Sequence, residues 1–241
     1  MATRTRRSQR RTEALSRGRI VEAAVELLDA AGEGGLTFRA LAEHLSTGPG
    51  AIYWHVANKG ELLGTATDAV VAAALVIEPA ESPDSPQNEI RTVALGLFDA
   101  IDEHPWLATQ LAVQLSRSPW GSVTPRIFES IGRQVRALGA PESSWFTATS
   151  ALVHYILGAA GQNAANARTL GTDTDRTEFL DAVSKTWEEL DPDDYPFTRA
   201  VANHLRDHDD REQFLAGLDL VLTGITALHL SGGQAHTPPS A

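Results

Sequence analysis

The chain has 241 residues, is 42% apolar and carries a formal net charge of −11, so it can bury a real core as one large domain or a small domain joined to a larger one. Cysteine is absent, which excludes disulfides, thiolate nucleophiles and cysteine zinc sites and fits a reducing cytoplasm. The N-terminus leads into no hydrophobic segment of a signal peptide, and the longest apolar stretch, ALVHYILGAAG at 151–161, is too short to span a membrane.

The charge is unevenly placed. Residues 1–62 hold nine Lys/Arg against seven Asp/Glu, whereas the rest of the chain holds eleven against twenty-four. Seven of the nine cations precede Ile20. A basic arm on an acidic body points to a polyanion partner at one end only.

Helical periodicity dominates and no alternating strand pattern appears, so the chain is expected to be all-α. Ser16 caps a first helix whose apolar positions are Ile20, Ala24, Leu27, Leu28 and Ala31, and Gly32 ends it. Thr37 caps a short second helix, FRALAEHL. The turn STGPG follows, and Pro49 opens a third helix expected to run through Ile52 and Val56. Asn58 caps a fourth helix that begins at Lys59 and reaches about Ile77. Beyond the Pro- and acid-rich EPAESPDSPQN, helices are expected near 88–103, 105–116, 124–138, 142–168, 178–190, 196–207 and 211–230. The predicted organisation is a basic disordered arm (1–15), a three-helix unit (16–62), a larger helical domain (63–230) and a disordered tail (231–241).

The stretch AIYWHVANKGELL (51–63) sets three aromatic rings side by side. Ile52 and Val56 face the core, so Tyr53, Trp54 and His55 project outward, where phenol, indole and imidazole groups can reach phosphate oxygens. Lys59 adds a cation at a helix N-terminus, where the dipole already favours phosphate. Short helices joined by a tight glycine-bearing turn and braced by a longer helix form a helix-turn-helix pattern.

The stretch from Ser16 to Leu63, above all YWHVxNKxxLL, resembles the DNA-binding domain of the tetracycline-repressor (TetR) family. ATSALVHYILG (148–158) and FLAGLDLVLTG (214–224) resemble the two dimerisation helices of that family. The resemblance implies Arg39 as a base-reading guanidinium, Tyr53, His55 and Lys59 as phosphate ligands, and Trp54 as their support. Thr37, Pro49, Gly50 and Ala51 complete the DNA-facing set. Where close relatives have a polar Gln-Pro-Thr at the tip of the recognition helix, this chain has Pro49, Gly50 and Ala51, which cannot make bidentate base contacts. Close backbone approach, an Ala51 contact with a thymine methyl and the arginines of the arm (Arg4, Arg6, Arg7, Arg10 and Arg11) are the expected compensation.

For the larger domain, the stripe Phe214, Leu218, Val221, Leu222, Ile225 and Leu228 is on its own an ordinary core stripe. With the resemblance it becomes, together with 148–161, a four-helix homodimer interface. Gly158, Gly161, Gly217 and Gly224 then permit close helix approach, and a dimer spans two operator half-sites. Pocket candidates are the polar residues inside apolar runs, Gln110, Gln114, His154, Gln162 and Asn163. Trp106, Trp120, Phe128, Trp145 and Phe146 are the candidate walls. Alignment with tetracycline repressors puts Gln114 and Gln162 where those proteins use a histidine and a glutamate to bind a magnesium chelate. A neutral amide is a poor magnesium partner, so no metal and no cofactor is expected.

No G-x-S-x-G elbow, phosphate-binding glycine loop or H-E-x-x-H occurs, so the chain is not expected to be an enzyme. The expected function is a ligand-responsive DNA-binding regulator, a repressor released from a palindromic operator by a small-molecule inducer other than magnesium-tetracycline. The alternative is a helical ligand-sequestering or protein-docking bundle with no DNA role.

Overall fold

The computed structural model describes residues 15–76, 85–117, 121–170 and 173–232. Most of the basic arm, part of the acid-rich loop, Trp120 and the end of the tail therefore lie outside the described residues. Among the described residues the fold is all-α, with no strand. The chain divides into two compact units, one ending at Ala66 and the other beginning at Thr67. That division falls four residues beyond the boundary expected from the sequence, because Leu62 and Ala66, one turn apart on the same helix, are both buried.

In the first unit, α1 (Arg17–Gly35) starts where the Ser16 hydroxyl accepts from the Arg19 amide. Its helical geometry breaks at Gly32, which has a φ of 62°, so the turn expected at GEGG is present. The helix α2 (Phe38–His44) is capped by Thr37, whose hydroxyl accepts from the Ala40 amide. It ends in a Schellman turn, in which the amides of Ser46 and Thr47 donate to the carbonyls of Glu43 and Ala42. Ser46 takes the left-handed position at φ 51°, where glycine is the usual occupant. The helix α3 (Pro49–Tyr53) is shorter than expected. Val56 is buried as the pattern requires, but from a turn beyond the helix end, where its amide donates to the Ile52 carbonyl. Asn58 caps α4 (Lys59–Ala74) by accepting from the Glu61 amide at 2.9 Å, and the Glu61 carboxylate accepts from the Ala57 amide at 2.9 Å.

The second unit contains the rest of α4 and seven further helices: α5 (Pro86–Glu103), α6 (Trp106–Arg117), α7 (Val123–Ala137), α8 (Trp145–Leu170), α9 (Asp173–Glu188), α10 (Pro196–Val201) and α11 (Asp210–Gly232). Three-residue and four-residue 3-10 turns precede α8 and follow α10. The helix α8 is the hub, packed on α5, α6, α7, α9 and α11. Its partners supply single apolar stripes: Ile90, Val93, Ala94, Leu97 and Ile101 from α5, and Val123, Ile127, Ile131 and Val135 from α7. Each fully buried Ile or Leu of these stripes contributes roughly 1.5–3 kcal/mol relative to exposure.

Two close approaches fix helices within this unit. A Cβ built on Gly96 would lie 2.3 Å from the Ala74 carbonyl oxygen at the end of α4, and one built on Gly217 would lie 2.1 Å from the Tyr155 hydroxyl. The apolar stripe of α11 also serves this core. Phe214, Leu218, Leu222 and Ile225 are buried within the single chain, which corrects their reading as an interface. The face of α11 left open carries Leu220, 76% exposed, with Ala216, Thr223 and Gly224 beside it. Likewise Gly217 and Gly161 meet Tyr155 and Ala108 of the same chain.

Candidate nucleic-acid interface and ligand cavity

The helix-turn-helix unit presents a surface built on one aromatic stack. The rings of Phe38 on α2 and Tyr53 on α3 lie 4.3 Å apart and 8° from parallel, which fixes the two helices against each other. Tyr53 nevertheless keeps 54% of its surface open, and Trp54 is 90% exposed. An indole that open packs little against its own chain. Pro49 and Gly50 are exposed, and His55 is half-buried. A Cβ at Gly50 would meet nothing within 4 Å, so internal packing does not require glycine there.

Arg39 is exposed, its Nε held by Glu43 at 3.0 Å. That bond leaves the two terminal guanidinium nitrogens able to donate elsewhere. The Thr37 hydroxyl accepts the cap bond but keeps its own proton to donate. Lys59 opens α4 as expected, and it has a further role within the unit. Its ammonium donates to the Glu33 carbonyl at the end of α1, so one of its three protons braces the unit and two remain. Arg17 ties the same corner, its guanidinium 3.2 Å from Glu61. The sequence reading missed Arg17, Glu33 and Glu61, whose roles depend on carbonyls and carboxylates that only the folded chain brings together.

In the second unit, a cavity of about 760 Å³ opens between α6, α7 and α8. From α6 come Ala108, Ala112, Leu115 and Ser116; from α7, Thr124, Pro125 and Phe128; from α8, Phe146, Ser150, His154, Leu157 and Gly158. None of these is a carboxylate, ammonium or guanidinium. The Thr124 hydroxyl oxygen is buried without a hydrogen-bond partner. Phe128 and Phe146 face each other with ring centroids 6.1 Å apart and planes 26° apart.

Of the residues expected at the pocket, Phe128, Phe146 and His154 line this cavity, whereas Trp106, Gln110, Gln114, Trp145, Gln162 and Asn163 do not. Trp106 and Gln110 are buried in the core beside Leu107 and Leu111. Trp145 donates its indole N–H to the Ala140 carbonyl at 2.7 Å and carries Arg136 over its ring. Gln162 is exposed. The cavity owes its space to small residues, Ala108, Ala112 and Gly158, which bear no signal in a sequence.

Ion pairs elsewhere in this unit tie helices together. Arg126, on the first turns of α7, reaches Asp68 of α4 at 3.4 Å. Arg206 bridges Asp181 at 3.0 Å and Glu188 at 2.7 Å. Hydrogen bonds from Lys185 and Arg206 hold the Asp181 carboxyl below the usual range, and the bond from Arg206 does the same for Glu188. Burial pushes the Tyr155 phenol up. Among the described residues, no group of three His, Asp or Glu side chains is arranged to hold a metal ion, and no helix is long and apolar enough to cross a membrane.

Comparison with known proteins gives this architecture its context. Residues 20–66 match the family described as bacterial regulatory proteins, tetR family, and residues 78–229 match the tetracyclin repressor-like C-terminal domain. An HTH-type transcriptional regulator of Saccharopolyspora erythraea is 32% identical over 144 residues, which cover 60% of this chain and 59% of that protein. The HTH-type transcriptional repressor DrrR1 of Streptomyces coeruleorubidus is 30% identical over 224 residues, covering 89% of this chain and 78% of that protein. The solved structure of SCO7222, a TetR from Streptomyces coelicolor, superposes with a TM-score of 0.81 at 71% identity, covering 89% of this chain and 99% of that one. With both domains matched in order, and with an exposed helix-turn-helix ahead of a helical body that holds a cavity, this chain belongs to the TetR family of DNA-binding transcriptional regulators.

Proposed function

We propose that this regulator is a homodimeric cytoplasmic repressor, without enzymatic activity, that binds a palindromic operator and releases it when a small molecule enters the α6–α7–α8 cavity. The observation that carries the DNA half is the outward placement of Tyr53 and Trp54 from a helix pair locked by the Phe38–Tyr53 stack. Tyr53, Trp54, His55, Thr37 and the free protons of Lys59 would meet phosphates, and Arg39 would meet a base edge. Pro49, Gly50 and Ala51 would sit against the groove with backbone rather than side-chain contacts. The arm, with its five arginines before residue 12, would add sequence-independent affinity. A dimer supplies the two reading heads that a palindrome needs, and its seam would use the open Leu220 face of α11.

The inducer would need no divalent metal. Magnesium held by few protein ligands relies on carboxylates, and the cavity wall offers one imidazole and three hydroxyls instead. The coupling would run through the Arg126–Asp68 pair: a ligand against Thr124 and Phe128 shifts the start of α7, and α4 begins at Lys59 in the reading head.

The test is a gel-shift titration on an operator recovered by selection from random duplex DNA. The double substitution Tyr53→Ala with Lys59→Ala should weaken binding to every sequence. Arg39→Ala should cost about 1–3 kcal/mol and relax preference at one position. Intact operator affinity in the folded double variant would show that this surface is not the reading head.

A further inference from the structure

We infer that the cavity takes an uncharged, flat aromatic compound that presents a hydrogen-bond acceptor to the Thr124 hydroxyl. The inference rests on the ligand-responsive reading and names the chemistry that this reading leaves open. Charge is the first observation. No lining side chain is a carboxylate, ammonium or guanidinium, and a formal charge brought into such a site gives up water for no more than one imidazole and three hydroxyls.

Shape is the second. The volume of about 760 Å³ suits a drug-sized molecule. Phe128 and Phe146 both line it, and Phe146 leaves 76% of its surface open. Exposed ring faces of this kind favour offset stacking with another aromatic system.

The third observation sets the polar end. The Thr124 oxygen is shut away from solvent with no acceptor or donor, an arrangement that costs stability. Rotation about χ1 exchanges the hydroxyl and the methyl between staggered positions, which turns the O–H toward the space its residue lines. Phe128 stands four residues further along α7, one turn away on the same face. A molecule stacked on Phe128 therefore has its edge at Thr124, and an acceptor on that edge satisfies the hydroxyl.

The experiment uses the full chain and Nile red, an uncharged, flat, carbonyl-bearing dye whose emission rises in apolar surroundings. Saturable binding of one dye per chain is expected, unaffected by removing magnesium with EDTA. Gly158→Trp should abolish it, since a Cβ there meets nothing within 4 Å and the ring fills the cavity. Ala112→Phe serves as a second blocking variant should Gly158→Trp melt early. Thr124→Val should weaken the dye about three- to tenfold, the loss of one hydrogen bond, while raising the melting temperature of the free protein by removing a buried unpaired oxygen. Thr124→Ser should restore affinity.

The inference is overturned by absence of saturable binding, by binding that survives both blocking variants, or by unchanged affinity in Thr124→Val. Displacement of Nile red by equimolar anilinonaphthalene sulfonate, which is charged, would overturn the requirement for an uncharged ligand. Operator binding is read separately by DNA anisotropy, so a failed dye titration with intact operator binding rejects this ligand class alone. Dye binding without operator binding rejects the DNA reading alone.

Discussion

A methyl group has no room at Gly217. The Tyr155 phenol donates to the Phe214 carbonyl at 2.8 Å and stacks on the Phe214 ring at 5.8 Å, so its hydroxyl occupies the space a Cβ would take. Gly217→Ala would gain about 1 kcal/mol of helix propensity but force Tyr155 out of its bond and stack, at a cost of roughly 1–3 kcal/mol. Net destabilisation is expected, read as a lower urea midpoint at unchanged slope. An unaltered or raised midpoint would show that Tyr155 yields freely. At this scale the sequence is only partly informative. It marked Gly217 as a close approach, yet could not say that the neighbour is a tyrosine of the same chain. Similarly, Lys59 was legible as a cation at a helix start, but not as a donor to a carbonyl twenty-six residues away.

Helices are the scale at which the sequence speaks most clearly, since each needs an apolar stripe to bury. The stripes of α5 and α7 are regular enough to place both elements to within two residues. Where irregular contacts decide, the reading falters: α3 stops at Tyr53 because Val56 reaches the core from a turn, and the cavity is made by alanines and a glycine that no stripe announces. The α9 to α10 segment holds its shape by polar contacts instead. Arg206 joins Asp181 and Glu188, the Ser184 hydroxyl donates to the Ala202 carbonyl at 2.8 Å, and Arg199 donates to the carbonyls of Glu188, at the end of α9, and Leu190 just beyond it. Because both carboxyls are held below their unfolded values, their contribution is complete above the ordinary carboxylate range. It is lost as pH falls through the depressed folded values, below about pH 4. Arg206→Met should therefore flatten the fall in melting temperature between neutral and strongly acidic buffer. An equally steep fall in the variant would place the acid-sensitive groups elsewhere.

For the whole molecule, the decisive correction concerns α11. Its regular stripe of Phe214, Leu218, Leu222 and Ile225 is consumed by the protomer core, so any partner must be met by the opposite face. Leu220→Glu places a charge in the centre of that face, where a seam could not hydrate it. Light scattering should then report monomers, and operator affinity should fall because one reading head meets one half-site. The substitution lies on an exposed position, so the melting temperature of the protomer should change little. A stable dimer in this variant would move the seam away from α11.

The absence of a side chain at Gly96 has a mechanical meaning. With the carbonyl of Ala74 seated against α5, the end of α4 has almost no freedom to slide, and the helix behaves as a rod pivoted there. Asp68 lies six residues from that pivot within the same unit, which at 1.5 Å per residue gives an arm of about 9 Å. A push on Asp68 from Arg126 of α7 therefore turns this stretch of α4 about Ala74 instead of driving it along its axis.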